Sequence, residues 1–296
     1  MVILSIPNYS DKIGHQKFYP VLNYISFLDS ISAVMSYGVW NKSYKLTIVN
    51  ILEKINHQPK QKLTDKTDVN KIFENLQSAW INGLALKHSL ETSNLKFAHW
   101  DIIKFYYTIY SCVSAMSRIA CKDIKKENHY QKIKVYNNNI LENNFYSKLI
   151  LPPFNVVLRN GRLFPSPKKI TSWEYGQKQH CLEIERGLRF TEAHSKKNVT
   201  SIIDFFKYFR EWANYKGTYL VKYLYGETCK DQLKRALENI SIYFQVMSEN
   251  FIIKSINFEK VNEVFNDFKK VSEKNLELDS SLIKDRFDIY STHFKK

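Results

Sequence analysis

The sequence predicts a mainly α fold: an antiparallel helical bundle with a small inserted β-hairpin and extra N- and C-terminal helices. Three observations carry that reading. Glycine (8) and proline (7) are scarce in 296 residues while aromatic residues reach 15%, a balance that suits a packed helical core. The run Phe97–Cys121 alternates bulky and small residues at helical spacing, with no Gly or Pro inside it. The stretch Asp68–Leu90 repeats Val69, Ile72, Phe73, Leu76, Ala79, Trp80, Gly83 and Leu84 at the spacing of one helical face.

Taken in order, the first twenty residues read as loop, with one short strand at Val2–Ile6. Val21–Tyr37 is apolar enough for a helix that stops at Gly38, and Lys45–Ile55 suits a shorter one. His57–Lys66 is polar and holds a proline, which marks a linker. Thr67 or Asp68 can cap the next helix. Glu91–Lys96 is too short to do anything but turn the chain back, so the helices on either side should pack antiparallel.

Beyond Cys121 the chain turns basic, with Lys122, Lys125, Lys126, Lys132 and Lys134, then rich in Asn; this reads as a solvated connection or a phosphate-facing patch. Asn155–Leu158 and Arg162–Phe164 flank Asn160-Gly161, a dipeptide that supplies the positive φ angles of a tight hairpin. Trp173–Arg189 suits a helix. Thr200–Trp212 reads as helix throughout, with Ile202, Ile203, Phe205, Phe206 and Phe209 on its inner face. Glu227–Ile253 is the fourth long helix, and Phe258–Lys296 carries one more amphipathic helix and a charged end. Three segments follow: an N-terminal helical extension (1–66), a bundle holding the hairpin near 150–167 (67–253), and a C-terminal helical tail (254–296).

A formal net charge of +15 favours a polyanionic partner, RNA or DNA, over an acidic small molecule. The bland counterpart is a chain whose codon usage simply enriches Lys and Asn. The four cysteines form no CxxC pair, which points away from a zinc site or disulfide framework and towards a reducing cytoplasm. No signal peptide and no membrane span is expected. Phosphate-binding glycine loops, HExxH and GxSxG are all missing, so the chain does not read as a common ATPase, dehydrogenase, zinc protease or serine hydrolase. Neither a metal nor a cofactor is expected.

Three local stretches carry a family resemblance. KFYYTIYSCVSAMSRI resembles the tyrosine-rich second helix of the HEPN superfamily of helical bundles, HSKKNVTSIIDFF the entry to its third helix, and FREWANYKG the Arg-containing corner before its fourth. The resemblance covers roughly residues 68–253. It implies a metal-independent endoribonuclease that cleaves single-stranded RNA by 2′-OH attack, acting as a homodimer, as a toxin or antiphage defence effector. Such enzymes place a His a few residues after an Arg, where the His moves a proton and the Arg steadies charge on the phosphorane.

Arg189 and His194 fit that spacing, as do Arg286 and His293; chance alone supplies roughly 0.65 such pairs in a chain of this size. Arg210 lies where the family places its motif, but Tyr215 stands at the His position. A tyrosine of ordinary pKa is a poor base at neutral pH, though it can orient a phosphate. Arg189 and Arg210 are separated by a helix that sets them on the order of 20–30 Å apart, so they would meet only across a dimer. The catalytic candidates are therefore Arg189, His194, Arg210 and Tyr215. Lys122, Lys125, Lys126, Lys132, Lys134, Lys196 and Lys197 are the nucleic-acid-binding candidates. The other reading is a non-catalytic HEPN-like nucleic-acid-binding module or scaffold, serving a partner protein of the same defence system.

Overall fold

The computed structural model describes residues 25, 28, 29, 32, 48, 49, 52, 63, 68–93, 95–96, 98–121, 128–141, 155–159, 162–166, 200–201, 203, 206–207, 209–211, 213–214 and 227–294. These residues are mainly helical. The long helices are α1 (Val69–Thr92), α2 (Ala98–Ala120), α4 (Glu227–Ser255), α5 (Phe258–Asn275) and α6 (Ser281–Phe294). A short α3 (His129–Val135) runs directly into a π-helical turn, Tyr136–Leu141. Among the described residues no helix is long and apolar enough to cross a membrane.

Local chemistry sets the ends. Asp68 caps α1 by accepting from the Lys71 N–H at 3.1 Å. The chain leaves α1 through Leu95, whose φ of 61° lets it reverse within a few residues and enter α2. So short a connection sends α2 back along α1, and the two pack closely. Asn257 caps α5 in the same way as Asp68 does α1, accepting from Lys260 N–H at 2.8 Å.

The core lies where α1 and α2 meet α4. From Ile240 to Ile253 every residue of α4 is buried, polar ones included. The central helix of the packing is thus α4 as much as α2. Helical residues Ile25, Leu28, Ile48 and Leu52 join the same core, and Asp29 pairs with Arg235 of α4 at 3.2 Å. Helices α5 and α6 bring Phe265, Phe268 and Phe287 around Trp80, at ring-centroid distances of 6.0, 5.1 and 5.8 Å. Large apolar side chains buried this fully contribute about 1.5–3 kcal/mol each.

Three differences from the sequence reading stand out. The Lys122–Tyr136 stretch is not wholly a connection: its last residues form α3, because Asn128 caps a helix start by accepting from Gln131 N–H at 2.9 Å. Thr200–Ser201 are extended rather than helical. They pair antiparallel with Asn155–Val156 of β1 (Asn155–Arg159), whose other edge pairs with β2 (Arg162–Ser166), so the sheet has three strands in the order β2-β1-β3 (Thr200–Ser201). Strand hydrogen bonds claimed those two β-tolerant residues before the helical pattern begins. The tail holds two helices rather than one, since Asp279 and Ser280 start α6: Ser281 N–H donates to Asp279 Oδ1 at 2.9 Å.

Candidate functional site

Tyr106, Tyr107 and Tyr110 project from one side of α2, and α3 is pinned across them. Ser117 of α2 donates its hydroxyl to the Lys132 carbonyl at 3.1 Å, and Asn139 of the π turn donates to the Ala120 carbonyl at 3.2 Å. The second contact satisfies an end carbonyl of α2 that has no helical partner. Together they hold His129, the first residue of α3, against the tyrosines.

His129 Nδ1 lies 2.8 Å from the Tyr106 hydroxyl, and its ring stacks on Tyr110 with centroids 3.9 Å apart and planes 6° from parallel. Arg210, on the helical stretch that includes Ile203 and Phe206, sets its guanidinium carbon 5.1 Å from the Tyr106 ring centre and 5.8 Å from that of Tyr107. Phe206, packed edge-on to Phe105 of α2 at 5.1 Å, fixes that stretch beside α2. The Arg210 Nε donor is buried without a partner. Lys132 Nζ sits 5.6 Å from the centre of the Tyr110 ring, and the residue is only 6% exposed. Lys207, one helical turn before Arg210, pairs with Glu211 at 3.8 Å.

The electrostatic consequence falls on His129. Burial first, then the positive charges of Arg210, Lys207 and Lys132, push its pKa down to about 4. At neutral pH the imidazole is uncharged and carries one N–H and one lone pair. The cluster therefore offers fixed cations, a neutral proton acceptor and aromatic faces. That combination suits a phosphodiester and its neighbouring base.

Of the catalytic and nucleic-acid-binding candidates from the sequence, Arg210, Lys132 and Lys134 are described. The first two meet around His129, while Lys134 lies half-buried further along α3. Arg189, His194, Tyr215, Lys122, Lys125, Lys126, Lys196 and Lys197 lie outside the described residues. Arg286 is placed differently from a ligand-facing arginine. It is wholly buried and donates to both carboxylate oxygens of Glu249, so the Arg286–His293 spacing is not a site.

His129 is not distinguished by the sequence, because it lies in a basic stretch that reads as a connection. One signal was present: Asn128 followed by Gln131 has the spacing of a helix-start capping pair. Among the described residues no group of three or more His, Cys, Asp or Glu could hold a metal ion.

No protein-family model matches the chain. The search of curated proteins found no match. The search of solved structures found none either.

Proposed function

We propose that this protein is a metal-independent endoribonuclease of HEPN type, acting on single-stranded RNA by 2′-OH attack as a homodimer. In that role it would serve as a toxin or antiphage effector in the cytoplasm. The observation that supports the reading is Arg210, held over Tyr106 and Tyr107 with its Nε donor free and with Lys132 and Lys207 nearby. A guanidinium in a partly desolvated setting grips a phosphate oxygen and stabilises the charge that grows on a phosphorane. The tyrosine-rich helix and the Arg-containing corner that meet here are the stretches that carry the resemblance.

A second reading is favoured by a specific observation. His129 is engaged by Tyr106 and Tyr110, a satisfied aromatic arrangement that would equally serve a non-catalytic RNA-binding or scaffold subunit. The experiment is cleavage of labelled single-stranded RNA in EDTA by wild type and Arg210→Ala, with product ends read for 2′,3′-cyclic phosphate. The nuclease predicts cutting in EDTA and a loss of at least about 100-fold on Arg210→Ala with the fold intact. Binding without cutting, even with candidate partner proteins added, selects the scaffold.

A further inference from the structure

We propose that His129, outside both the Arg189–His194 spacing and the Arg210 corner, is the catalytic acid–base residue of this site, and that Tyr106 is its positioning residue. The assignment rests on the ribonuclease reading and names the group that moves the proton. One tyrosine joins the two halves of the chemistry: the Arg210 guanidinium lies over the Tyr106 ring, and the hydroxyl of the same residue meets His129 Nδ1. A phosphate gripped by Arg210 is thereby brought beside the imidazole.

The direction of that hydrogen bond depends on the imidazole tautomer. When Nδ1–H donates to the Tyr106 oxygen, Nε2 keeps its lone pair and is the free base. Tyr110, stacked at 3.9 Å, holds the ring plane. In the step, Nε2 takes the proton of the ribose 2′-OH and the 2′ oxygen attacks phosphorus. The bond from phosphorus to the 5′ oxygen breaks, and that oxygen leaves with the bonding pair and takes a proton from water. The products are a 2′,3′-cyclic phosphate and a 5′-hydroxyl, with no change of oxidation state. The imidazolium then returns its proton to solvent.

The groups that face the imidazole are Tyr106, Tyr107 and Tyr110 from α2, Lys132 from α3, and Lys207 and Arg210 from the stretch beside α2. Three of them are cations, and in the free protein they repel a proton from His129. A bound phosphodiester places negative charge among them, and the phosphorane places more. Both raise the proton affinity of the ring as the reaction needs it. Substrate thus turns a weak base into an effective one.

The test compares wild type, His129→Gln, His194→Gln and Tyr106→Phe in EDTA. Cleavage of single-stranded RNA is measured beside binding of the same oligonucleotide with 2′-deoxy sugars, which cannot be cut. We expect His129→Gln to lower kcat about 100- to 10,000-fold while binding of the deoxy analogue stays within about threefold. Tyr106→Phe should shift the acid limb of the wild-type pH–rate profile, which a purely structural tyrosine would not do. If His194→Gln abolishes cutting and His129→Gln does not, the assignment is overturned and the ribonuclease stands. Binding without cutting by wild type overturns both. A second measurement needs no variant to fold: the imidazole nitrogen shifts of wild-type His129 are titrated with and without the deoxy analogue. Its midpoint should rise on binding; a midpoint that does not move overturns the proposal.

Discussion

Arg286 of α6 donates to both oxygens of Glu249 on α4, from Nε at 2.9 Å and from a terminal nitrogen at 2.6 Å, with neither side chain exposed. The carboxylate is filled from two other sides, by the Trp80 indole N–H at 2.8 Å and the Tyr290 hydroxyl at 2.6 Å. The same arginine reaches Gln245 Oε1 at 2.8 Å. Helices α1, α4 and α6 are thus tied through one buried ion pair whose partners are satisfied. Taking two charges out of water costs several kcal/mol per ion, and only such complete pairing offsets it. The network fixes where α6 docks, and it lies too deep to meet a substrate.

Breaking that pair from one side should therefore cost far more than removing it whole. Arg286→Met leaves a buried, uncompensated carboxylate and should lose about 3–5 kcal/mol in urea unfolding. Adding Glu249→Gln to it removes the stranded charge while keeping a side-chain oxygen for the Trp80 indole N–H and the Tyr290 hydroxyl, and should recover most of that loss. A double variant as unstable as the single one would show that the pair contributes through its packing rather than its charge.

Gly83 on α1 tests the same region through shape. A Cβ there would overlap Gln245 Nε2, and that amide cannot simply swing away because its oxygen holds Arg286. Helix propensity alone favours Gly83→Ala by up to about 1 kcal/mol. Overpacking against an anchored neighbour costs about 1–3 kcal/mol, so a net loss of about 1–2 kcal/mol is expected in chemical denaturation. A stabilised Gly83→Ala would mean that Gln245 repacks freely.

What the sequence made legible follows from how each element earns its place. Helices α1 and α2 are uninterrupted and strongly periodic, with Asp68 as a visible cap, so their limits could be read within one or two residues. Helix α4 was legible as a helix but not as the centre of the core. Ser241, Gln245, Ser248, Glu249 and Asn250 look like a solvated face, and only partners such as Arg286, 37 residues from Glu249 in sequence, let that face be buried. Within the candidate site, Arg210 stands in the stretch FREWANYKG that the sequence singles out. His129 acquires its meaning from Tyr106, 23 residues earlier, from Lys132 on its own helix and from Lys207 and Arg210 on the stretch beside α2. No local pattern encodes such a meeting.

The depressed His129 value makes stability depend on pH with a definite sign. With the folded value near 4 and the unfolded one near 6.5, the unfolded chain binds the proton first as pH falls. This residue's contribution is therefore intact above about pH 6.5 and is lost as pH drops towards 4. Because the ring is only partly buried, solvent screening reduces the effect to about 1 kcal/mol between pH 7.5 and pH 5. Urea midpoints at those two values should diverge more for wild type than for His129→Gln. Equal pH dependence in the two proteins would place the imidazole in an ordinary solvated setting.

Salt should reveal whether the Arg210 cluster meets RNA phosphates at all. If Arg210, Lys132 and Lys207 displace counterions from a single strand, each contributes about −0.7 to the slope of log affinity against log salt, or roughly −2 together. Arg210→Gln should then make the slope shallower by about 0.7, whatever the sequence of the oligonucleotide, because phosphate contacts carry no base information. Fluorescence anisotropy with a 2′-deoxy-substituted RNA analogue between 50 and 300 mM salt, on the order of the range where screening changes most, reads both quantities. An unchanged slope in Arg210→Gln, with the +15 chain still binding the analogue, would move the RNA contact to another basic face and leave the Tyr106–Arg210 stack as a packing feature of the bundle.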